Sequence, residues 1–197
     1  MTSSDVTHLP EGAPALFARR VGASFSAGID GAAPPGPADS RGHKLQVAMV
    51  CGEFNGGITA RLLDGALTAL TELGVIVGDI ITVWVPGAFE MPLAAQRMID
   101  AGADVVICLG AVIRGETTHY EIVAENCASG VQRVQLDTGV PVIFGVLTTE
   151  NVDQAVKRSG AGKDNKGWEA AATAISMAWL LRQVPKKPAV ERVYDGY

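Results

Sequence analysis

The chain is poor in the features that mark several common classes of protein. Only 19% of its residues are charged and 6% aromatic, and its net charge is −5. Because no stripe of Lys and Arg with interleaved aromatic residues occurs, nucleic-acid binding is disfavoured. No apolar run reaches the roughly 18 residues of a membrane span, and the first residues lack the basic-then-apolar order of a secretory signal. Composition therefore favours a globular protein with neither nucleic-acid nor membrane partners.

Cysteine is also scarce, and the common cofactor motifs are missing. Cys51, Cys108 and Cys127 lie in apolar or helical surroundings without CxxC spacing, which indicates reduced core residues and a cytoplasmic location. The sequence has neither a Gly-x-x-x-x-Gly-Lys-Ser/Thr motif nor a Gly-x-Gly-x-x-Gly motif after a strand, which disfavours P-loop NTPases and dinucleotide enzymes. No spaced set of His and Cys predicts a metal site.

Residues 1–43 differ in composition from the rest of the chain. The run 32–37, Ala-Ala-Pro-Pro-Gly-Pro, cannot hold a helix and suits a strand poorly, so we predict a disordered arm. An arm that docks on a neighbouring subunit is the alternative. Residues 17–20 and several serines fit an organellar transit peptide, whereas three acidic residues of the arm do not. We expect the folded domain over residues 44–184 and a C-terminal tail over 185–197.

Apolar runs and amphipathic stretches alternate after the arm. Strands are predicted over residues 44–50, 80–85, 104–109 and 141–147, and helices over 59–73, 89–101, 119–136, 151–159 and 168–182. Strands that alternate with helices predict a parallel sheet covered on both faces. The fold class is therefore α/β, a three-layer α/β/α sandwich with a four-stranded parallel flavodoxin-like sheet.

Residues 110–121 read as a turn from the third strand into a helix, opened by a capping box at Thr118-His119-Tyr120-Glu121. Parallel strands bring all their carboxyl ends to one edge, where α/β proteins bind ligands. Chemically useful residues follow every predicted strand: Phe54-Asn55, Pro86–Glu90, Ala111–His119 and Leu147–Glu150. We therefore expect a binding site at this edge.

Each of these residues also has a purely structural interpretation. Phe54 could stack on a flat ring or cover the core. His119, in the first turn of a helix, could transfer protons or be structural. Thr117 and Thr118 suit helix caps as well as anion ligands. Glu90 could simply complement a helix dipole, as could Arg158 near a helix end, and Lys163 and Lys166 in a Gly-rich loop could face solvent.

Taken together, the motifs resemble those of the lumazine synthase family over about residues 44–181. The resemblance rests on several long motifs in order: Phe54-Asn55, Trp84–Glu90, Gly110–Tyr120, Gly139–Gly145, Thr148–Asn151 and Asn165–Gly167. It implies an enzyme of riboflavin biosynthesis. The reaction would condense 5-amino-6-(D-ribitylamino)uracil with 3,4-dihydroxy-2-butanone 4-phosphate, without a cofactor, to 6,7-dimethyl-8-ribityllumazine, releasing phosphate and water.

The resemblance also implies roles for individual residues. His119 matches the family's proton-transfer histidine. The pyrimidine and its ribityl chain would contact Phe54, Ala88, Phe89, Glu90, Ala111, Val112, Ile113 and a neighbouring subunit's Phe144. The phosphate would contact Glu116, Thr117, Arg158 and Lys166. Since Glu116 stands where some relatives carry a small residue, its carboxylate is expected to turn away from the anion.

The family resemblance implies homo-oligomers with active sites between subunits. These would be pentamers, decamers or sixty-subunit icosahedral shells, with riboflavin synthase as a candidate partner.

Three other functions are compatible with parts of the sequence. A lumazine- or riboflavin-binding homologue without turnover is disfavoured because His119, Arg158 and Phe54 are all present. A shell whose arm recruits cargo is compatible with catalysis. A flavodoxin-like electron carrier is disfavoured because the turn 51–55 is not a Ser/Thr-rich phosphate loop.

Overall fold

The protein is described by a computed structural model that covers residues 45–184. Four strands and five α-helices alternate along this range. They are Val47–Gly52 (β1), Gly56–Glu72 (α1), Ile80–Val85 (β2), Met91–Asp100 (α2), Val105–Ile113 (β3), His119–Thr138 (α3), Val142–Thr149 (β4), Val152–Arg158 (α4) and Lys166–Gln183 (α5). The predicted arm over residues 1–43 and the tail over 185–197 lie outside the described residues.

The strands form one parallel sheet in the order β2-β1-β3-β4. All six residues of β1 are buried, as expected for a central strand covered on both faces. Apolar side chains of α1, α4 and α5 pack on one face of the sheet, and those of α2 and α3 pack on the other. The predicted three-layer α/β/α sandwich is confirmed. Within residues 45–184, none of the helices is long and apolar enough to cross a membrane.

Strand β3 ends four residues later than predicted. Residues 110–113 pair with residues 146–149 of β4, so the interpretation of this part as a turn is wrong. The absence of a side chain at Gly110 leaves room for Met91 against this part of the strand. A Cβ at Gly110 would lie 2.7 Å from Cε of Met91. The extension carries the backbone of residues 110–113 beyond the end of β1.

The starts of three helices show where the local sequence pattern agrees with the structure and where it does not. Asn151 caps α4 as predicted, since its Oδ1 accepts a hydrogen bond from the Gln154 N–H at 3.0 Å. The predicted capping box at Thr118 is wrong, because the Thr118 side chain makes no capping bond and Glu121 pairs with Arg114 instead. Helix α1 begins at Gly56 rather than residue 59.

Helix α5 begins two residues earlier than predicted. Its N-cap is Asn165, whose Oδ1 accepts the Gly167 N–H at 2.8 Å. Lys166 therefore lies in the first turn of a helix, and the prediction that it belongs to a loop is wrong. The same Asn165 side chain donates to the carbonyls of Arg61 and Gly160, so it ties the start of α5 to α1 and to the preceding loop.

Candidate active site

A cavity of about 700 Å³ opens at the carboxyl edge of the sheet, where the predicted site residues converge. It lies between the ends of β1, β2 and β3 and the first turns of α3. Its lining comprises Phe54, Pro86, Gly87, Ala88, Phe89, Glu90, Ala111, Val112, Ile113, Gly115, Thr117, His119, Tyr120, Ile122 and Val123. Nine of the thirteen predicted site residues belong to this set.

The extended end of β3 forms one wall of the cavity. Strand β1 pairs with β3 only as far as Leu109, so the edge of residues 110–113 that faces away from β4 is open to the cavity. The Asn55 amide reaches this edge and donates to the Ala111 carbonyl at 2.9 Å. Backbone groups of Ala111, Val112 and Ile113 can therefore offer directional hydrogen bonds to a ligand in the cavity.

Asn55 is a positioning residue whose role the sequence pattern alone did not predict. It is the one non-glycine residue with positive φ in the described chain, at 58°, and its side chain is buried. Asparagine tolerates this left-handed conformation better than most residues. Its carbonyl accepts the N–H groups of Ile58 and Thr59 at the start of α1. An Asn followed by Gly-Gly directly after a strand is the sequence signal that could have identified it.

Two phenylalanines on adjacent turns give the cavity exposed aromatic surface. Phe54 follows β1 and has 74% of its surface exposed. The prediction that it could cover the core is therefore wrong. Phe89 lies in the 3₁₀ turn Ala88–Glu90 after β2 and is also exposed, whereas Ala88 is buried. Apolar faces that remain in solvent on either side of a concave wall suit a planar ligand.

Polar groups line the opposite wall, at the start of α3. His119 is its first residue, and its exposed imidazole has no hydrogen-bond partner among residues 45–184. No side chain caps the helix, and the Thr117 hydroxyl lies 3.4 Å from the His119 N–H. The helix start thus retains backbone donors that favour an anion. Glu116, which the resemblance assigns to the phosphate, is exposed and does not line the cavity.

The remaining three predicted residues lie in a second, separate depression. Phe144, Arg158 and Lys166 line a hollow of about 360 Å³ beside β4, α4 and α5. Arg158 donates to the Gln154 carbonyl at 3.1 Å, and the Lys166 ammonium pairs with Glu169. This hollow presents an aromatic ring and two cations but neither His119 nor the open edge of β3. One copy of the chain therefore holds the predicted site in two parts.

The three cysteines line neither the cavity nor the second hollow. All are buried and unpaired. Burial raises the pKa of the Cys127 thiol to about 11 and also raises the pKa of Cys51 and Cys108. The prediction that they are core residues is confirmed, and such thiols are poor nucleophiles because little thiolate forms at neutral pH.

Fold and site together define a class: a three-layer α/β protein with a ligand cavity at the carboxyl edge of its parallel sheet. Comparison with protein families is more specific. The family model of 6,7-dimethyl-8-ribityllumazine synthase matches residues 44–182, more than two thirds of the chain. The chain belongs to this family. Membership implies a place in riboflavin biosynthesis, small-molecule substrates and an oligomeric assembly.

Proposed function

We propose that the protein is an active 6,7-dimethyl-8-ribityllumazine synthase. The substrates are 5-amino-6-(D-ribitylamino)uracil and 3,4-dihydroxy-2-butanone 4-phosphate. The observation that carries the proposal is the cavity of about 700 Å³, which collects all the residues that match the family's pyrimidine site except Phe144, together with His119 and Thr117. Family membership and this convergence support each other, because the motifs are far apart in sequence.

The geometry suits a condensation between two bound molecules. The pyrimidine would lie against Phe54, with its ring edge at the open backbone of residues 111–113 and its ribityl chain toward residues 88–90. The butanone phosphate would place its phosphate at the start of α3. Holding both reactants in this geometry can contribute about 7–11 kcal/mol to lowering the barrier.

The chemistry needs proton transfer and stabilisation of a leaving anion. The 5-amino group adds to the ketone carbonyl, and loss of water gives an imine. Elimination of phosphate follows, and the ribitylamino nitrogen closes the ring with loss of a second water. His119 would transfer protons in these steps, since histidine is the side chain that most often serves as a positioned general acid or base. The helix start and Arg158 would stabilise the departing phosphate.

The two depressions support an active site shared between subunits. Phe144, Arg158 and Lys166 lie in the second hollow, yet the resemblance assigns them to the pyrimidine and the phosphate. A neighbouring copy that places its second hollow against the first cavity would complete the site. We propose a pentamer-based cytoplasmic assembly with such sites; its final size, from pentamer to sixty-subunit shell, stays open.

The first test is absorbance at the lumazine band after the purified protein is mixed with both substrates. Because the condensation also runs slowly unaided, a reaction without protein is the baseline. We expect clear acceleration by the wild-type protein. Arg158→Ala should reduce the acceleration chiefly by impairing use of the phosphorylated substrate. His119→Ala should lower turnover and leave the assembly intact. No acceleration by a folded, oligomeric protein would contradict the proposal and favour a binding or shell function.

A further inference from the structure

Arg114 joins the ends of three elements beside the cavity. It follows β3 directly, and its backbone N–H donates to the Thr149 carbonyl at the end of β4 at 2.8 Å. Its guanidinium Nε lies 2.7 Å from Oε2 of Glu150, and Nη1 bonds to Glu121 in the first turn of α3. The guanidinium carbon lies 4.3 Å from the centroid of the Tyr120 ring. One side chain therefore connects β3, α3 and the turn after β4.

The charges in this cluster argue against direct binding of substrate by Arg114. Two carboxylates surround one guanidinium, and the hydrogen bond from Arg114 holds the pKa of Glu121 below its usual range. The cluster is therefore net negative at neutral pH and does not attract a phosphate. Arg114 is also absent from the residues that line the cavity, whereas its contact Tyr120 is present.

The first turn of α3 has few other anchors of its own. Thr118 makes no side-chain cap, and the Thr117 hydroxyl is a distant 3.4 Å from the His119 N–H. The two residues that Arg114 holds, Tyr120 and Glu121, directly follow His119 in the helix. These two contacts therefore join the turn that begins with His119 to the end of β3.

We infer that Arg114 is a positioning residue for His119. It locks the first turn of α3 to the ends of β3 and β4, so that the imidazole faces the substrates without Arg114 touching them. The inference rests on the proposed function for its kinetic part. It adds to that function a residue outside the cavity on which proton transfer depends, because a displacement of about 1 Å can cost roughly 10²-fold in rate.

The kinetic test is a double-mutant cycle between Arg114→Met and His119→Ala. Methionine keeps an apolar stem but removes every donor. We expect Arg114→Met to lower kcat roughly 10- to 100-fold with little change in KM for the phosphorylated substrate. In the His119→Ala background it should have little further effect, because the residue through which it acts is already gone. Losses that multiply in the two backgrounds would overturn the inference.

Two further variants separate positioning from general damage. Arg133→Met removes an exposed ion pair with Asp137 elsewhere on α3, and it should leave kcat unchanged. Glu121→Gln preserves the shape of the partner and weakens only the charge-assisted bond, so it should reproduce part of the Arg114→Met loss even if that variant folds poorly. A raised KM with unchanged kcat in either cluster variant would instead make Arg114 a substrate ligand and overturn the inference.

An NMR measurement that needs no turnover can test this inference separately from the proposed function. The imidazole signals of His119 can be assigned by NMR through their loss in His119→Ala. We expect Arg114→Met to shift or broaden them and Arg133→Met to leave them unchanged. Unchanged signals in Arg114→Met would overturn the inference. If the wild-type protein failed to accelerate the condensation while the signals moved, only the proposed function would fall.

Discussion

At the residue scale, Phe54 is an apolar side chain whose exposure can serve ligand binding. It lies directly after β1, between the buried Gly52 and Asn55, and yet keeps 74% of its surface in solvent. Its backbone N–H is held by the Pro86 carbonyl at 3.1 Å, which fixes the turn that presents the ring. Exposure next to a concave wall is consistent with a stacking surface for a heterocycle.

We expect Phe54→Ala to weaken binding of the pyrimidine substrate by about 1–3 kcal/mol, roughly 5- to 150-fold, as for other stacked bases. Calorimetric titration with the pyrimidine alone measures this directly. Val77→Ala is the matched control, because Val77 is also exposed but does not line the cavity. Equal affinity in the wild type and Phe54→Ala would show that the ring does not stack on the substrate.

At the element scale, the close contact between α1 and α5 decides how the face with three helices packs. Gly167, in the first turn of α5, lies against the backbone of α1, and a Cβ there would overlap the Leu62 carbonyl oxygen. A Cβ at Gly65 would also overlap the Asn165 side chain that caps α5. The two glycines therefore allow the start of α5, which carries Lys166 and part of the second hollow, to pack closely against α1.

Gly167→Ala is expected to reduce the free energy of unfolding by about 1–3 kcal/mol or more, because helix backbones must separate to admit the methyl group. Thermal melting at a fixed protein concentration measures the change. Gly78→Ala is the control, since a Cβ at that position meets nothing within 4 Å. A Gly167→Ala melting temperature equal to that of the control would contradict the packing argument.

On the scale of the whole molecule, two surfaces of one chain carry complementary parts of one proposed site. The first cavity offers the exposed rings, the open edge of β3 and His119, while the second hollow offers Phe144, Arg158 and Lys166. Neither surface alone combines the proton-transfer group with the cations. Assembly would therefore be a condition for catalysis as well as for stability.

Mixed assemblies test this arrangement. His119→Ala and Arg158→Ala, each weak alone, are dissociated, mixed in equal amounts and reassembled. If sites straddle two subunits, random assembly pairs an intact first cavity with an intact second hollow at roughly one site in four, and activity returns.

The control mixture combines His119→Ala with Phe54→Ala. Both substitutions lie in the first cavity, so every mixed site carries one of them and activity should stay low. If activity returned in neither mixture, the whole site would lie within one chain.

Much of this architecture is readable from local pattern. The alternation of apolar runs with amphipathic stretches predicts the order of strands and helices, because strand and helix periodicity reflect burial of one face or stripe. Parallel topology then brings the turns that contain Phe54, Glu90 and His119 to one edge without further information. Asn151 could be identified as a cap because its hydrogen bond spans only three residues.

Features that depend on distant partners were not readable in this way. The end of β3 continues past Leu109 because residues 146–149 of β4 pair with it, and these partners are far away in the sequence. Glu121 bonds to Arg114 rather than completing the capping box at Thr118. The division of the site between two hollows also follows from where α4 and α5 pack. Periodicity indicates which face of an element is buried. The end of β3, the partner of Glu121 and the division of the site depend instead on which side chains meet in the folded chain.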